Sequence, residues 1–187
     1  MDLRLTPTSF IVLGLLERLG EATPYELKQH VAGGVGNFWS VQHSQLYSEP
    51  ERLARGGYVE EEREESGRRR RTYRITDAGR EALAEWRGDV HSEPTELRDL
   101  GLLKLFFGAD PVEVAAAEAQ SHRAKLEEYQ AMRELAPPEG VTRGMRLSLE
   151  AGIGHEREWV RFWEEIGAAA KPRRGRGSRS ARGDRAA

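Results

Sequence analysis

Gly56-Gly57 constrains this chain more than any other pair of residues. Glycine enters positive φ without steric cost, so two of them after a helical pattern end the helix and let the chain turn back. Before the pair, Leu46, Tyr47, Leu53 and Ala54 recur at three- and four-residue steps, the period of a helix with one apolar face. After it, Tyr58–Arg63 and Arg69–Ile75 read as a hairpin turning at Glu65-Ser66-Gly67, with Val59, Tyr73 and Ile75 as its apolar anchors.

The helix before the glycines carries Gln42, His43, Ser44, Gln45 and Ser48 near its N-terminal end, where a recognition helix presents hydrogen-bonding groups to base edges. The hairpin sets an acidic outgoing strand (Glu60, Glu61, Glu62, Glu64, Glu65) against a basic return (Arg68, Arg69, Arg70, Arg71, Arg74). Facing opposite charges stabilise a ribbon by about 0.2–1 kcal/mol per pair, so the arginines could simply answer the glutamates. The tip holds more arginine than its neighbours can pair, which favours phosphate or minor-groove contact for Arg68–Arg71. Polar helix, glycine stop and arginine-tipped ribbon together read as a winged helix-turn-helix. Pro50 is the irregularity: a helix-interior proline costs about 3 kcal/mol, which predicts a kink or break near Tyr47–Glu49.

Upstream, Thr6-Pro7 starts a helix whose Ser9–Leu19 segment is apolar on nearly every side and therefore buried, ending at Gly20. Thr23-Pro24-Tyr25-Glu26 is a capping box opening a second helix to about His30, with Leu27 and Val31 inward. Gly33–Asn37 lacks the preceding strand and following lysine of a phosphate-binding loop, so it reads as a flexible link. Phe38 and Trp39 are expected to plug the domain beyond it. Thr76 caps a fourth helix with Leu83, Trp86 and Val90 on one face.

The second half is helical throughout: Pro94–Phe107, then a helix capped by Asp110-Pro111 and running to about Leu135, then one over roughly 142–166. Ala115, Ala119, His122, Leu126 and Tyr129 form one stripe. Met145, Leu149, Gly152, Trp159 and Trp163 form another near heptad spacing, and two such narrow stripes predict a helical hairpin that dimerises. The expected organisation is a DNA-binding domain over 1–90, a helical dimerisation domain over 91–170 and a disordered basic tail over 171–187. Charge follows the same division. Residues 1–88 carry 13 basic and 14 acidic groups, 89–170 carry 9 and 16, and 171–187 carry 7 and 1. The acidic second half is ill suited to face DNA.

Cysteine is absent, which excludes disulfides, thiolate nucleophiles and cysteine-ligated zinc. The five histidines include no i,i+4 pair, and no nucleophile–base constellation is present. No enzyme activity, metal or cofactor is expected. No basic-then-apolar leader opens the sequence and no apolar run approaches the ~20 residues that span a bilayer, so a soluble cytoplasmic protein with no membrane partner is expected.

Three stretches resemble PadR-type transcriptional regulators of the longer subclass: residues 10–31, HSQLYSEPERLARGGYVE (43–60) and RRRRTYRITDAGREALAEW (68–86). The helix-three tyrosine, the glycine pair and the Tyr-x-Ile-Thr-Asp-x-Gly entry to helix four carry it most specifically. The resemblance covers residues 5–90 firmly and 91–168 loosely. It implies a homodimer that binds an inverted-repeat operator on double-stranded DNA, represses transcription and is released by a small-molecule effector or another signal. It places Gln42, His43, Ser44, Gln45, Tyr47, Ser48 and Arg68–Arg71 on the DNA-reading surface, with Tyr25 and Lys28 at backbone-contacting positions. Pro50 departs from the family's usual apolar residue. The alternative is a helical adaptor whose winged domain binds protein, favoured if Arg68–Arg71 are fully paired with the wing glutamates.

Overall fold

Thr6 caps the first helix, α1 (Pro7–Leu19), and Ser9 completes a capping box by accepting from the Thr6 N–H at 2.8 Å. The computed structural model describes residues 3–63, 70–91, 94, 96–136 and 139–170, in two units that divide after Pro94. The first unit continues with β1 (Glu21–Ala22), α2 (Pro24–Ala32), a 3₁₀ turn (Val35–Asn37), α3 (His43–Arg55), β2 (Val59–Arg63), β3 (Arg71–Ile75) and α4 (Asp77–Gly88). Its core is Val12, Leu13 and Leu16 of α1 packed with Leu27, Val31, Leu46, Leu53, Val59, Tyr73, Ile75 and Leu83.

The hairpin is antiparallel, with Val59 opposite Ile75 and Arg63 opposite Arg71. The sheet has a third strand beyond the expected hairpin: β1 pairs the outer edge of β3, giving the order β1-β3-β2. Two residues between Gly20 and a capping threonine are too few for an alternating pattern to show. Gly57 takes φ +78°, as the helix stop requires.

The entry to α4 explains why its motif has that spelling. The Thr76 N–H donates to the Tyr58 carbonyl at 3.1 Å and its hydroxyl to the Gly57 carbonyl at 2.8 Å, locking the end of the hairpin onto the glycine stop. Three residues later, a Cβ on Gly79 would lie 2.2 Å from the Tyr58 carbonyl oxygen and 2.8 Å from Ile75 Cγ1. Only glycine fits there.

Several expectations are corrected. Helix α3 runs unbroken through Pro50, whose ring is fully buried. Tertiary anchoring outweighs the local penalty: Leu46 and Leu53 are completely buried on either side, and Glu49 is pinned to α1 by Ser9. Phe38 and Trp39 do not plug the domain, being 65% and 45% exposed. The link before them contains the 3₁₀ turn Val35–Asn37. Trp86 is half exposed and stacks on Phe10 with ring centroids 4.8 Å apart, while Val90 lies beyond the end of α4 and faces solvent.

The second unit holds α5 (Leu100–Phe106), α6 (Pro111–Leu135) and α7 (Arg143–Ala170). Asp99, not Pro94, begins α5 by accepting from the Leu102 N–H at 2.8 Å. Helices α6 and α7 are antiparallel: Arg123 pairs with Glu164 and Arg133 with Glu150, one number rising as the other falls. Trp163 is completely buried against Ala115 and Ala119, flanked by Trp159, Phe162 and Ile166. Gly152 packs on the Tyr129 ring, where a Cβ would come within 3.0 Å. His122 lies on the predicted stripe, bonded to Glu156 at 2.6 Å and stacked on Trp159. Gly152 and Trp163 thus both make contacts within the chain's own helical hairpin. Met145 remains partly exposed, and Leu149 and Trp159 are half-buried. Helix α5 instead leaves Leu100, Leu103, Phe106 and the adjoining Phe107 between 51% and 82% exposed.

The architecture is mostly α: a winged helix-turn-helix followed by helices. No helix among the described residues is long and apolar enough to cross a membrane. The turn Glu65-Ser66-Gly67, Arg68, Arg69 and the tail over 171–187 lie outside the described residues.

Candidate nucleic-acid interface

Two faces of α3 divide the work. Leu46, Glu49, Pro50 and Leu53 form the buried face; Gln42, His43, Ser44, Gln45, Tyr47 and Ser48 are all exposed, on the first turns and their cap. At the start, the Gln42 N–H donates to Gln45 Oε1 at 3.3 Å, and Ser48 donates to the Ser44 carbonyl at 3.2 Å. The first N–H groups of a helix lack intrahelical partners and carry its positive dipole end, so this terminus suits a phosphate or an acceptor-rich base edge.

A buried carboxylate fixes how α3 is presented. Glu49 accepts from Ser9 Oγ at 2.6 Å, from Arg52 Nε at 2.8 Å and from Arg52 Nη2 at 2.6 Å. Arg52 Nη1 donates to the Arg4 carbonyl at 2.9 Å, tying the segment before α1 to α3 as well. Burial by itself would raise the Glu49 pKa. The hydrogen bonds from Arg52 and Ser9, with the guanidinium charge, outweigh it and hold the carboxyl below its usual range. No local pattern signals this network, whose members are 40 and 43 residues apart along the chain.

On α2, Tyr25 is exposed and accepts from Gln29 Nε2 at 3.1 Å; Lys28 is half-exposed. Glu26 does double duty. One carboxylate oxygen completes the capping box with the Thr23 N–H at 2.7 Å, and the other accepts from Arg70 at 2.7 Å. The two Thr23 bonds, and then Arg70, lower its pKa.

Among the described residues the wing's arginines are paired, though mostly not across the ribbon. Arg70 reaches Glu26 on α2; Arg71 bonds Glu51 on α3 and lies 3.6 Å from Glu61 on β2; Arg74 bonds Glu21 on β1 at 2.8 Å. Glu61 also pairs with Arg63, so one carboxylate relieves the like-charge pair Arg63–Arg71 that the register creates. Arg70 and Arg71 remain about half exposed, and exposed ion pairs of this kind are worth only about 0–1 kcal/mol each, so a phosphate can replace the carboxylates cheaply. The structure thus ties the root of the wing to α2 through Glu26 and to the later turns of α3 through Glu51. No group of three or more His, Asp or Glu able to hold a metal occurs among the described residues.

Residues 12–85 match the model of the transcriptional regulator PadR-like family, and residues 97–170 match that of the virulence activator alpha C-terminal region. The negative transcriptional regulator PadR of Bacillus subtilis (strain 168) is 26% identical over 171 residues, covering 84% of this chain and 93% of that protein. The crystal structure of Bacillus subtilis PadR in complex with operator DNA superposes with a TM-score of 0.76 at 26% identity, covering 87% of this chain and 98% of that one. Its complex with p-coumaric acid gives 0.70 at 26% identity, covering 88% and 98%.

Proposed function

The chain belongs to the PadR-like family of DNA-binding transcriptional regulators, and we propose that it is a repressor: a homodimer that holds an inverted-repeat operator until a small molecule releases it. The observation that carries this reading is the exposed polar first turn of α3, held outward by the buried Leu46–Leu53 face, on a helix-turn-helix whose α2 and α3 carry Arg70 and Arg71 of the wing on Glu26 and Glu51. Gln42, Ser44 and Gln45 read base edges, while the wing arginines exchange Glu26 and Glu51 for phosphates. The pairing that would favour a protein-binding adaptor, arginines consumed by the wing's own glutamates, does not describe Arg70, and it describes Arg71 only in its longer contact.

Repression is supported by the negative regulator from Bacillus subtilis, and an effector by the complex of that PadR with p-coumaric acid. The effector's identity does not carry over at this identity. Dimerisation is supported by the apolar α5 surface, which a second copy covers through a two-fold contact. A two-fold pair of α3 helices implies half-sites about one helical turn, ~34–36 Å, apart.

The test is binding of the purified chain to DNA upstream of its own gene against an unrelated duplex, titrated in salt and footprinted. A salt-sensitive complex over a symmetric site, far tighter than the control, supports the reading. Equal weak binding to every duplex from a random pool refutes it.

A further inference from the structure

The turn between α2 and α3 places its apolar residues against the usual rule. Val35 and Val41, at its two ends, pack on the core, while the larger Phe38 and Trp39 between them stay outside at 65% and 45% exposure. Large aromatics bury more apolar area than valine and are ordinarily favoured inside, so an exposed adjacent pair is informative.

The pair is held there by backbone structure. The Phe38 and Trp39 N–H groups both donate to the Val35 carbonyl, at 3.2 and 2.9 Å, and Asn37 Nδ2 donates to the Gly34 carbonyl at 3.0 Å. Gly36 brings the turn so close to the end of α2 that a Cβ would lie 2.7 Å from the Val31 carbonyl oxygen. The aromatics therefore project from an ordered turn fastened to the core on both sides.

Position names the occupant. Gln42, the cap of α3, follows Trp39 by three residues. The other two exposed aromatics of the helix-turn-helix, Tyr25 and Tyr47, lie on α2 and α3. In a helix-turn-helix the first of these helices crosses the phosphate backbone and the second enters the major groove, so the turn between them lies over the strand at the groove's edge. That strand offers deoxyribose faces and thymine methyls, the apolar surfaces of DNA.

We propose that Phe38 and Trp39 form an apolar shoe that packs on the deoxyribose and thymine-methyl surface of the operator strand beside the bases read by α3. The contact rests on the regulator reading above. Being uncharged, it adds affinity without releasing counterions. It therefore leaves the salt dependence of binding unaltered, unlike a phosphate contact.

The test uses the full chain and a duplex selected by the wild-type protein from a random pool. F38A/W39A is expected to bind that duplex about tenfold or more weakly, with the same log–log salt slope, sedimentation profile and unfolding midpoint as wild type. Replacing thymine by uracil in the flanking step should weaken wild type and leave the double variant unaffected. On saturation with DNA, wild type should lose acrylamide quenching of tryptophan emission, and W39F should show no such loss. Unchanged affinity of F38A/W39A overturns the contact, as does a weakened complex with a flatter salt slope or an altered oligomeric state. If wild type selects no duplex at all, the regulator reading fails and the contact fails with it.

Discussion

Replacing Arg52 with Gln tests the physical account of how α3 is held. Two of the three hydrogen bonds to the Glu49 carboxylate come from Arg52, leaving Ser9 as the remaining partner of a side chain that is 10% exposed. Removing one member of a buried ion pair costs about 3–5 kcal/mol. Arg52 itself is 27% exposed, so water can enter the vacated space, and the low end, about 3 kcal/mol at pH 7, is expected. The sign with pH follows from linkage. In wild type the folded pKa of Glu49 is depressed, so its contribution is fully present above the ordinary carboxylate value of 4.5 and is lost as pH falls through the folded pKa. In R52Q burial is largely unopposed and the folded pKa rises, so the variant regains stability relative to wild type on acidification. Urea titrations of both proteins at pH 7 and at about pH 4, followed by circular dichroism, should show the gap narrowing. A gap of the same size at both pH values would refute the reasoning and assign the loss to the bonds Arg52 donates to the Arg4 carbonyl and, at 2.9 Å, to Ser9 Oγ.

Gly79→Ala should destabilise the first unit by about 3 kcal/mol, because the Cβ meets backbone at Tyr58; thermal unfolding measures it, and a change under 1 kcal/mol would contradict the close approach. Arg70→Ala should weaken all duplexes alike and flatten the salt dependence by about 0.9 log–log units. Gln45→Ala should instead relax discrimination among sequences by about 1–3 kcal/mol, so identical behaviour of the two variants in competition binding would erase the division between wing and helix. Leu103→Glu with Phe106→Glu should yield a folded monomer by sedimentation, whereas Trp163→Ala should cost about 3–5 kcal/mol by opening a cavity in the second unit.

Elements whose signals are local could be read from the residues alone. Proline after a capping threonine, the glycine pair, and alternation anchored by Val59, Tyr73 and Ile75 each act within a few residues, and each element lies where they put it. The polar first turn of α3 was legible for the same reason, since an amphipathic helix with a buried Leu46–Leu53 face has only one face left to present. Whatever depended on partners distant in the chain was set by packing. Pro50 stays helical because Ser9 holds Glu49 from another helix, and β1 forms because β3 offers it an edge. Arg70 and Arg71 turn to α2 and α3 and not only to the facing strand. Phe38 and Trp39 lie outside the core expected to hold them, because hydrophobicity specifies that a side chain prefers burial and only the packed chain supplies the surface that buries it.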